Sequence, residues 1–393
     1  MNSVDDSTLT QTVAALEPQL VEWRRYFHAH PELSYKEANT GAAIREALAG
    51  LGIDSVRVPG SESFYAVLDG ARPGPSIIIR ADMDALPIQE ASGKPYKSQC
   101  DGVMHACGHD AHIAMALGAA AILAERREDI CGSVIFCFQS AEELSGGTAE
   151  LLAALRESGR EIGQAVGVHI WSPIPVSQIQ ILDGPAMSGL YAFEITLTGR
   201  GGHGSRPDLS IDPIKPLCDL ALKLSALPTR LVSPLDSAVV HVCKVESGTR
   251  WNIFPDTAVL EGGVRFFKPE HQRLFTEGIE RLTRTVSDEW GVSYNIRDVS
   301  RLAPVVNAHD CVSRARAAAG QVDGLTLSNS AEPLCASDNM SDFLTAYPGV
   351  YAFLGCGNSA KGIDAVHHNA AFDIDESALR LGVEFFCRYI LHN

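Results

Sequence analysis

The segment MHACGHDAH (104–112) gathers His105, Cys107, His109, Asp110 and His112 immediately before a helical pattern. Thiolate, imidazole and carboxylate are the side chains that bind divalent transition metals. Cys107 and His109 stand two residues apart, so one turn can aim both at a single point. The stretch also reads as a helix N-terminus with incidental histidines, and Cys-x-His is not the paired CxxC spacing of a structural zinc site. A second signal is Gln139-Ser140-Ala141-Glu142-Glu143, which follows the apolar run GSVIFCF (132–138). It puts two carboxylates at the end of a buried strand, where open α/β sheets place ligands. A solvated acidic loop is the commoner reading of a lone Glu-Glu pair. Arg80, Asp82 and Asp84 share one face of a strand, as a site or as a local ion-pair cluster. His169, near the end of AVGVHIW (165–171), and the pair His367-His368 add imidazoles. A single strand histidine is more often a hydrogen-bonded core residue, so these gain meaning only together.

The elements that must position these groups alternate along the chain. Leu20, Trp23 and Phe27 have helical spacing, and Pro31 stops that helix. A second helix is predicted over 35–51, closed by Gly52. Buried strands are predicted over 76–87, 132–138 and 165–171, and helices over 115–128 and 148–159. Strands alternating with helices imply an α/β domain with a largely parallel sheet. After about residue 184 the pattern changes. GPAMSG (184–189) has the small-residue character of a hinge. Strands over 192–201, 238–248, 257–267 and 292–299 alternate as in a half-exposed sheet. With helices over 212–227 and 269–289 they follow a ferredoxin-like order. The α/β pattern returns with a strand over 349–357 and a closing helix over 376–391. The fold class is therefore α/β, with a mixed, largely parallel sheet flanked by helices and an inserted ferredoxin-like α+β domain. Residues 1–185 and 305–393 form the catalytic domain, and 186–304 the insert.

Composition narrows the function. The chain has 393 residues, 46% hydrophobic and 20% charged, with a formal net charge of −16. Such a chain folds to a packed core. Its acidic balance repels phosphate, which argues against nucleic-acid and anionic-membrane partners. No apolar run approaches the roughly 20 residues that span a bilayer. The polar, acidic N-terminus MNSVDDSTLT does not read as a secretory signal. The 10 cysteines are too sparse for a disulfide scaffold, and several lie in apolar stretches, as in a reduced, cytoplasmic protein.

Several motifs appear in order: WRRYFHAHPELSYKEANT (23–40), RADMDALPIQE (80–90), GVMHACGHDAH (102–112), FQSAEE (138–143), GVHIW (167–171), GGHGSRP (201–207) and SDF (341–343). Together they resemble the dinuclear metallopeptidases related to aminoacylase and carboxypeptidase G. Within that zinc-peptidase-like group they resemble the amidohydrolase branch of N-acyl-amino-acid, hippurate and auxin-conjugate hydrolases. The resemblance covers nearly the whole chain. It implies that Cys107, His109, Glu143, His169 and His368 hold two divalent transition-metal ions, Zn²⁺, Mn²⁺, Co²⁺ or Ni²⁺. His368 is chosen over His367 by counting back four residues from Phe372. Glu142 is implied as general base. His203 is implied as the histidine that reaches a neighbouring subunit's site in related dimers. Asn252 and Arg265 are implied as substrate contacts. Asp84 and Asp110 are candidates to orient the ligands. The chain departs from the family's usual pattern at Ser140, at Leu144-Ser145-Gly146-Gly147, at Ser341 and at Ala370, positions that flank the pocket.

The expected activity is cleavage of an N-acyl-L-amino acid to a carboxylate and a free amino acid, by a homodimer or higher homo-oligomer joined through the insert. A dipeptidase or aminoacylase on peptide-like amides, or a deaminase of an aromatic amine, could use the same site. A non-catalytic metal-binding or ligand-binding protein on this scaffold would have no use for Glu142 as a free base.

Overall fold

The computed structural model describes residues 6–330 and 332–392. Residues 1–5, the start of the polar N-terminal segment, lie outside the described residues. Among the described residues no helix is long and apolar enough to cross a membrane. The chain divides into two compact units, Met1–Ala186 with Val306–Glu332 and Asp342–Asn393, and Met187–Val305 with Pro333–Ser341.

The first unit is built on an eight-stranded mixed sheet. Its centre is parallel: Ser133–Gln139, Ser76–Asp82, Ile162–Pro175 and Gly349–Gly357 lie side by side. Phe64–Asp69 and Ser55–Arg57 extend one edge antiparallel. The strand Ser76–Asp82 is buried throughout, as a strand covered on both faces must be. Its alternate residues Ile77, Ile79 and Ala81 join the core beneath the helices. Ile78 faces the other way and is buried too.

The helix His109–Ala124 lies at the heart of this core and packs against Asp6–Ala29, Ser377–Leu391 and the sheet. Small residues make that possible. A Cβ at Gly118 would stand 2.5 Å from Leu20 and 2.6 Å from Val383, the contact points of its two neighbours. The helix starts at His109, not near 115 as its apolar run suggests. His109, Asp110 and His112 therefore belong to its first turn. The strand Phe64–Asp69 and the helix His309–Ala319 carry weak sequence patterns. The helix buries mainly Cys311, Val312 and alanines, too small to mark an apolar stripe.

The second unit carries a four-stranded antiparallel sheet. Its order is Ala238–Ser247, Thr257–Phe266, Gly189–Thr198, Ser293–Leu302. In chain order this is 2-3-1-4, the ferredoxin-like arrangement. Tyr191, Phe193, Ile195 and Leu197 alternate into a core shared with Leu217, Leu220 and Leu224 of helix Ile214–Ser225 and with Phe275, Ile279 and Val286 of helix Pro269–Trp290. One stretch groups differently from the expected boundaries. Pro333–Ser341, assigned from sequence to the α/β domain, clusters with the second unit. Ser188 fastens it there, donating through its backbone N–H to Leu334 and through its hydroxyl to Cys335 and Ala336.

Candidate metal centre

The centre forms at the C-terminal ends of the parallel strands of the first unit. Gly108 makes the turn between Cys107 and His109 in a left-handed conformation, with φ 89°. A Cβ there would collide with the Ile170 side chain, so only glycine lets the turn lie against that strand. Cys107 and His109 then converge with His169 from the strand Ile162–Pro175. Cys107 also meets Glu143 and His368, and His109 meets Glu142 and Glu143. Within each of these groups the ligand atoms lie within 4.8 Å of one another. The structure thus brings together Cys107, His109, Glu142, Glu143, His169 and His368.

Backbone carbonyls orient the imidazoles. His109 Nδ1 lies 2.8 Å from the Asp84 carbonyl oxygen, and His169 Nδ1 lies 2.5 Å from that of Ile170. A carbonyl only accepts, so Nδ1 carries a proton in both rings and Nε2 is the atom turned to the centre. His169 Nε2 is 3.7 Å from Cys107 Sγ. His109 Nε2 is 3.9 Å from Glu143 Oε1, which is 3.4 Å from His368 Nε2. Among the described residues, His109 Nε2 and Glu143 Oε1 are buried without a hydrogen-bond partner. Buried polar atoms are rarely left so. Donors of mixed S, N and O type that converge in this way fit divalent transition metals and disfavour Mg²⁺ or Ca²⁺.

The electrostatics agree. Burial, with the Glu143 carboxylate beside it, pushes the Cys107 thiol well above its ordinary value. A coordinated cation would reverse that balance. Burial opposes charge on His109, yet the Asp82 and Asp84 carboxylates raise its pKa well above the usual imidazole value. These carboxylates stabilise positive charge at His109, whether a proton or a metal ion brings it.

Asp84 braces both sides of the centre. Its Oδ1 is 3.3 Å from His109 Nδ1, and its Oδ2 accepts from Ser34 Oγ at 2.7 Å and from the Glu143 backbone N–H at 3.0 Å. Asp110 does not touch these side chains. Its Oδ2 accepts from Arg24 Nε at 2.9 Å and from His28 Nδ1 at 2.8 Å, deep in the core. Asp110 therefore ties the helix of His109 to the N-terminal helix. Asp82, His109 and His112 also form a tight group, but Asp82 and His112 are already engaged. His112 Nδ1 is 2.6 Å from Asp82 Oδ1, His112 Nε2 accepts the Ile170 N–H at 3.0 Å, and Arg80 stands 2.8 Å from Asp82 Oδ2. The Nε2 of His367 is likewise occupied. It accepts the Ser172 N–H at 3.1 Å, the ring stacks on Trp171, and burial lowers its pKa to about 3.

In the second unit, short strands Gly202–His203 and Ile253–Phe254 pair, which brings His203 beside Asn252. The Gly204 N–H donates to the Asn252 carbonyl at 2.8 Å. His203 Nδ1 accepts the Ser205 N–H at 3.1 Å, so the ring proton sits on Nε2. Arg265, half-buried, donates to Ser337 Oγ at 2.6 Å. Arg24, His28 and Glu37 all fall within the N-terminal motif 23–40 without a role there. Only buried polar residues inside apolar helical patterns could have flagged them.

A profile of peptidase family M20/M25/M40 matches residues 78–392. The chain is 35% identical over 373 residues to an N-acetylcysteine deacetylase of Bacillus subtilis, covering 95% of this chain and 96% of that one. It is 38% identical over 300 residues to an N-acyl-L-amino acid amidohydrolase of Geobacillus stearothermophilus, covering 76% and 80%. The crystal structure of the Bacillus subtilis YXEP protein, a dinuclear metal binding peptidase of the M20 family, superposes with a TM-score of 0.83. It is 32% identical, and the match covers 96% of this chain and 98% of that one.

Proposed function

This chain belongs to peptidase family M20/M25/M40, and we propose that it is a metal-dependent amidohydrolase that cleaves N-acyl-L-amino acids to a carboxylate and a free amino acid. The observation that carries this reading is the convergence of Cys107, His109, Glu143, His169 and His368, with Glu142 beside them. Those five side chains would hold a pair of divalent ions, of Zn²⁺, Mn²⁺, Co²⁺ or Ni²⁺ type. When bound, such ions supply Lewis acidity that acidifies water and polarises a carbonyl.

The protein's own residues do the rest. Glu143 and Glu142 are neighbours with separate tasks: Glu143 is a ligand, and Glu142 takes the proton of the attacking water. The Glu142 carboxyl then returns that proton to the departing amide nitrogen, so the amino acid leaves as a neutral amine. His203, as the histidine that reaches a neighbouring subunit's site, donates from Nε2–H to the oxyanion that develops there on the scissile carbonyl. Asn252 and the Arg265 guanidinium grip the substrate carboxylate.

The assembly we propose is a homodimer joined through the second unit. Its sheet ends on the strand Ala238–Ser247, whose Val239 and Val245 are exposed. Such an edge is a template for pairing. We place the protein in the cytoplasm, because its ten cysteines are all free thiols.

The test is a substrate panel with amine detection, containing N-acetyl and N-benzoyl amino acids, dipeptides and aromatic amines. Metal-loaded protein is expected to release amino acids from the N-acyl substrates, to lose this activity with chelator and to regain it with Mn²⁺ or Zn²⁺. A panel without amine release, or activity indifferent to chelator, overturns the proposal.

A further inference from the structure

The turn that presents Glu142 and Glu143 is held by side chains far away in sequence. The Ser140 N–H donates to Ser63 Oγ at 3.0 Å, and the Glu143 N–H to Asp84 Oδ2 at 3.0 Å. Between them, the Ala141 N–H donates to Glu37 Oε1 at 2.7 Å. Ala141 has φ 54°. A non-glycine residue in that left-handed region is strained, and such strain persists only where the surroundings over-determine it. The Ala141 carbonyl is held as well, by the Gly146 N–H at 2.8 Å.

Glu37 is an unusual residue for this place. It is fully buried, directly before the helix Ala38–Gly50. Its Oε2 has no hydrogen-bond partner among the described residues. A buried carboxyl with one idle oxygen is costly, and packing alone would be served better by an apolar side chain. Burial raises its pKa to about 7, against the pull of the Ala141 N–H. What the carboxyl contributes is an acceptor, on the end of a helix, aimed at the residue before the base.

We propose that Glu37 is a positioning residue for amide hydrolysis, which locks Ala141 in its left-handed conformation so that the next residue, Glu142, is aimed into the centre, while Asp84 holds Glu143 through its N–H. This rests on the reading of Glu142 as base. Glu142 and Glu143 open the short helical turn Glu142–Leu144, so the conformation of Ala141 sets the direction in which that turn starts.

The test is a double-mutant cycle in the metal-loaded full chain. Glu37→Ala is expected to lower kcat about 100-fold, the cost of misplacing a reacting group by about 1 Å, with KM and metal content within twofold of the parent. Glu37→Gln keeps the acceptor and recovers most of the turnover. Ala141→Gly can hold φ > 0 without help. In that background Glu37→Ala is expected to cost no more than about a tenth of what it costs alone. Equal losses in both backgrounds, near-parent turnover in Glu37→Ala, or loss of metal together with turnover overturns the inference. If Glu37→Ala does not fold, Ala141→Gly must restore folding, and failure there overturns it too. Glu142→Gln is run alongside. If that variant stays active, the base assignment is at fault; if it is inactive and the coupling is absent, only the role of Glu37 falls.

Discussion

Asp82 and His112 form a buried pair, with Oδ1 2.6 Å from Nδ1. The pair fixes the tautomer of His112 and turns its Nε2 to the Ile170 N–H, 3.0 Å away. Ile170 follows His169, whose own Nδ1 rests on the Ile170 carbonyl. The Asp82–His112 pair thus sets the backbone that aims His169 at Cys107. Replacing His112 by Gln is expected to weaken metal binding by about 10–100-fold, the usual cost of losing a group that orients a ligand. Calorimetric titration of metal-free protein with Zn²⁺ or Mn²⁺ measures it, and an unchanged affinity argues against the coupling.

Glu142→Gln and Glu143→Gln are expected to fail differently. The first removes only a proton acceptor, so it keeps its metal and loses turnover by roughly 10²–10⁴-fold. The second removes a ligand, so metal content falls along with activity. Elemental analysis beside steady-state kinetics separates the two. Equal metal loss in both variants would mean that Glu142 is also a ligand.

Metal binding is expected to release protons and to weaken as pH falls. The Cys107 thiol lies well above its ordinary value, held there by burial and by Glu143. It is protonated at neutral pH and gives up that proton when it coordinates. His109 is also raised, against burial, by Asp82 and Asp84. A metal ion therefore competes with a proton at His109 Nε2 at any pH below that raised value. Titrations in buffers of different ionisation enthalpy count the protons. A count of zero at neutral pH would remove Cys107 from the ligand set.

The ion pair between Arg24 and Asp110 is fully buried, at 2.9 Å. Asp110→Asn leaves the guanidinium without that partner and is expected to destabilise the fold by about 3–5 kcal/mol, read as a lower Tm. The pH dependence follows from the depressed Asp110 pKa. Burial opposes the charge, but Arg24 and His28 outweigh it and hold the carboxyl far below the usual range. The stabilisation is complete above the ordinary carboxylate value of about 3.9 and is lost as pH falls below it towards the depressed one. His28 has the opposite sign. Its pKa is raised against burial and Arg24 by Asp110 and Glu90, so its share is complete below about 6.5 and fades as pH rises through the raised value. Thermal unfolding of parent and Asp110→Asn across this range should converge at the acid end; a constant gap would contradict the assignment.

Much of the centre was legible before any coordinates, because its side chains declare their chemistry and sit in local patterns. Cys107 and His109 flank one glycine, Glu142 and Glu143 end a buried strand, and His169 lies late in another. Strand and helix periodicity is equally local, so the alternating order of the first unit and the βαββαβ order of the second follow from the chain. The start of the helix at His109 was not legible, since its first turn is polar and its cap is a left-handed glycine.

Sequence alone determined which residue types were available for metal and proton chemistry, and on which elements they ride. Only the tertiary structure decided their partners. It gave Asp110 to Arg24 and His28, engaged His112 with Asp82 and Ile170, turned His368 towards Glu143 while His367 accepts from Ser172, and set Glu37 under Ala141. Most of these contacts join residues far apart along the chain. They are fixed by strand order and helix packing, which depend on the summed burial of many side chains and leave no mark on any short stretch of sequence.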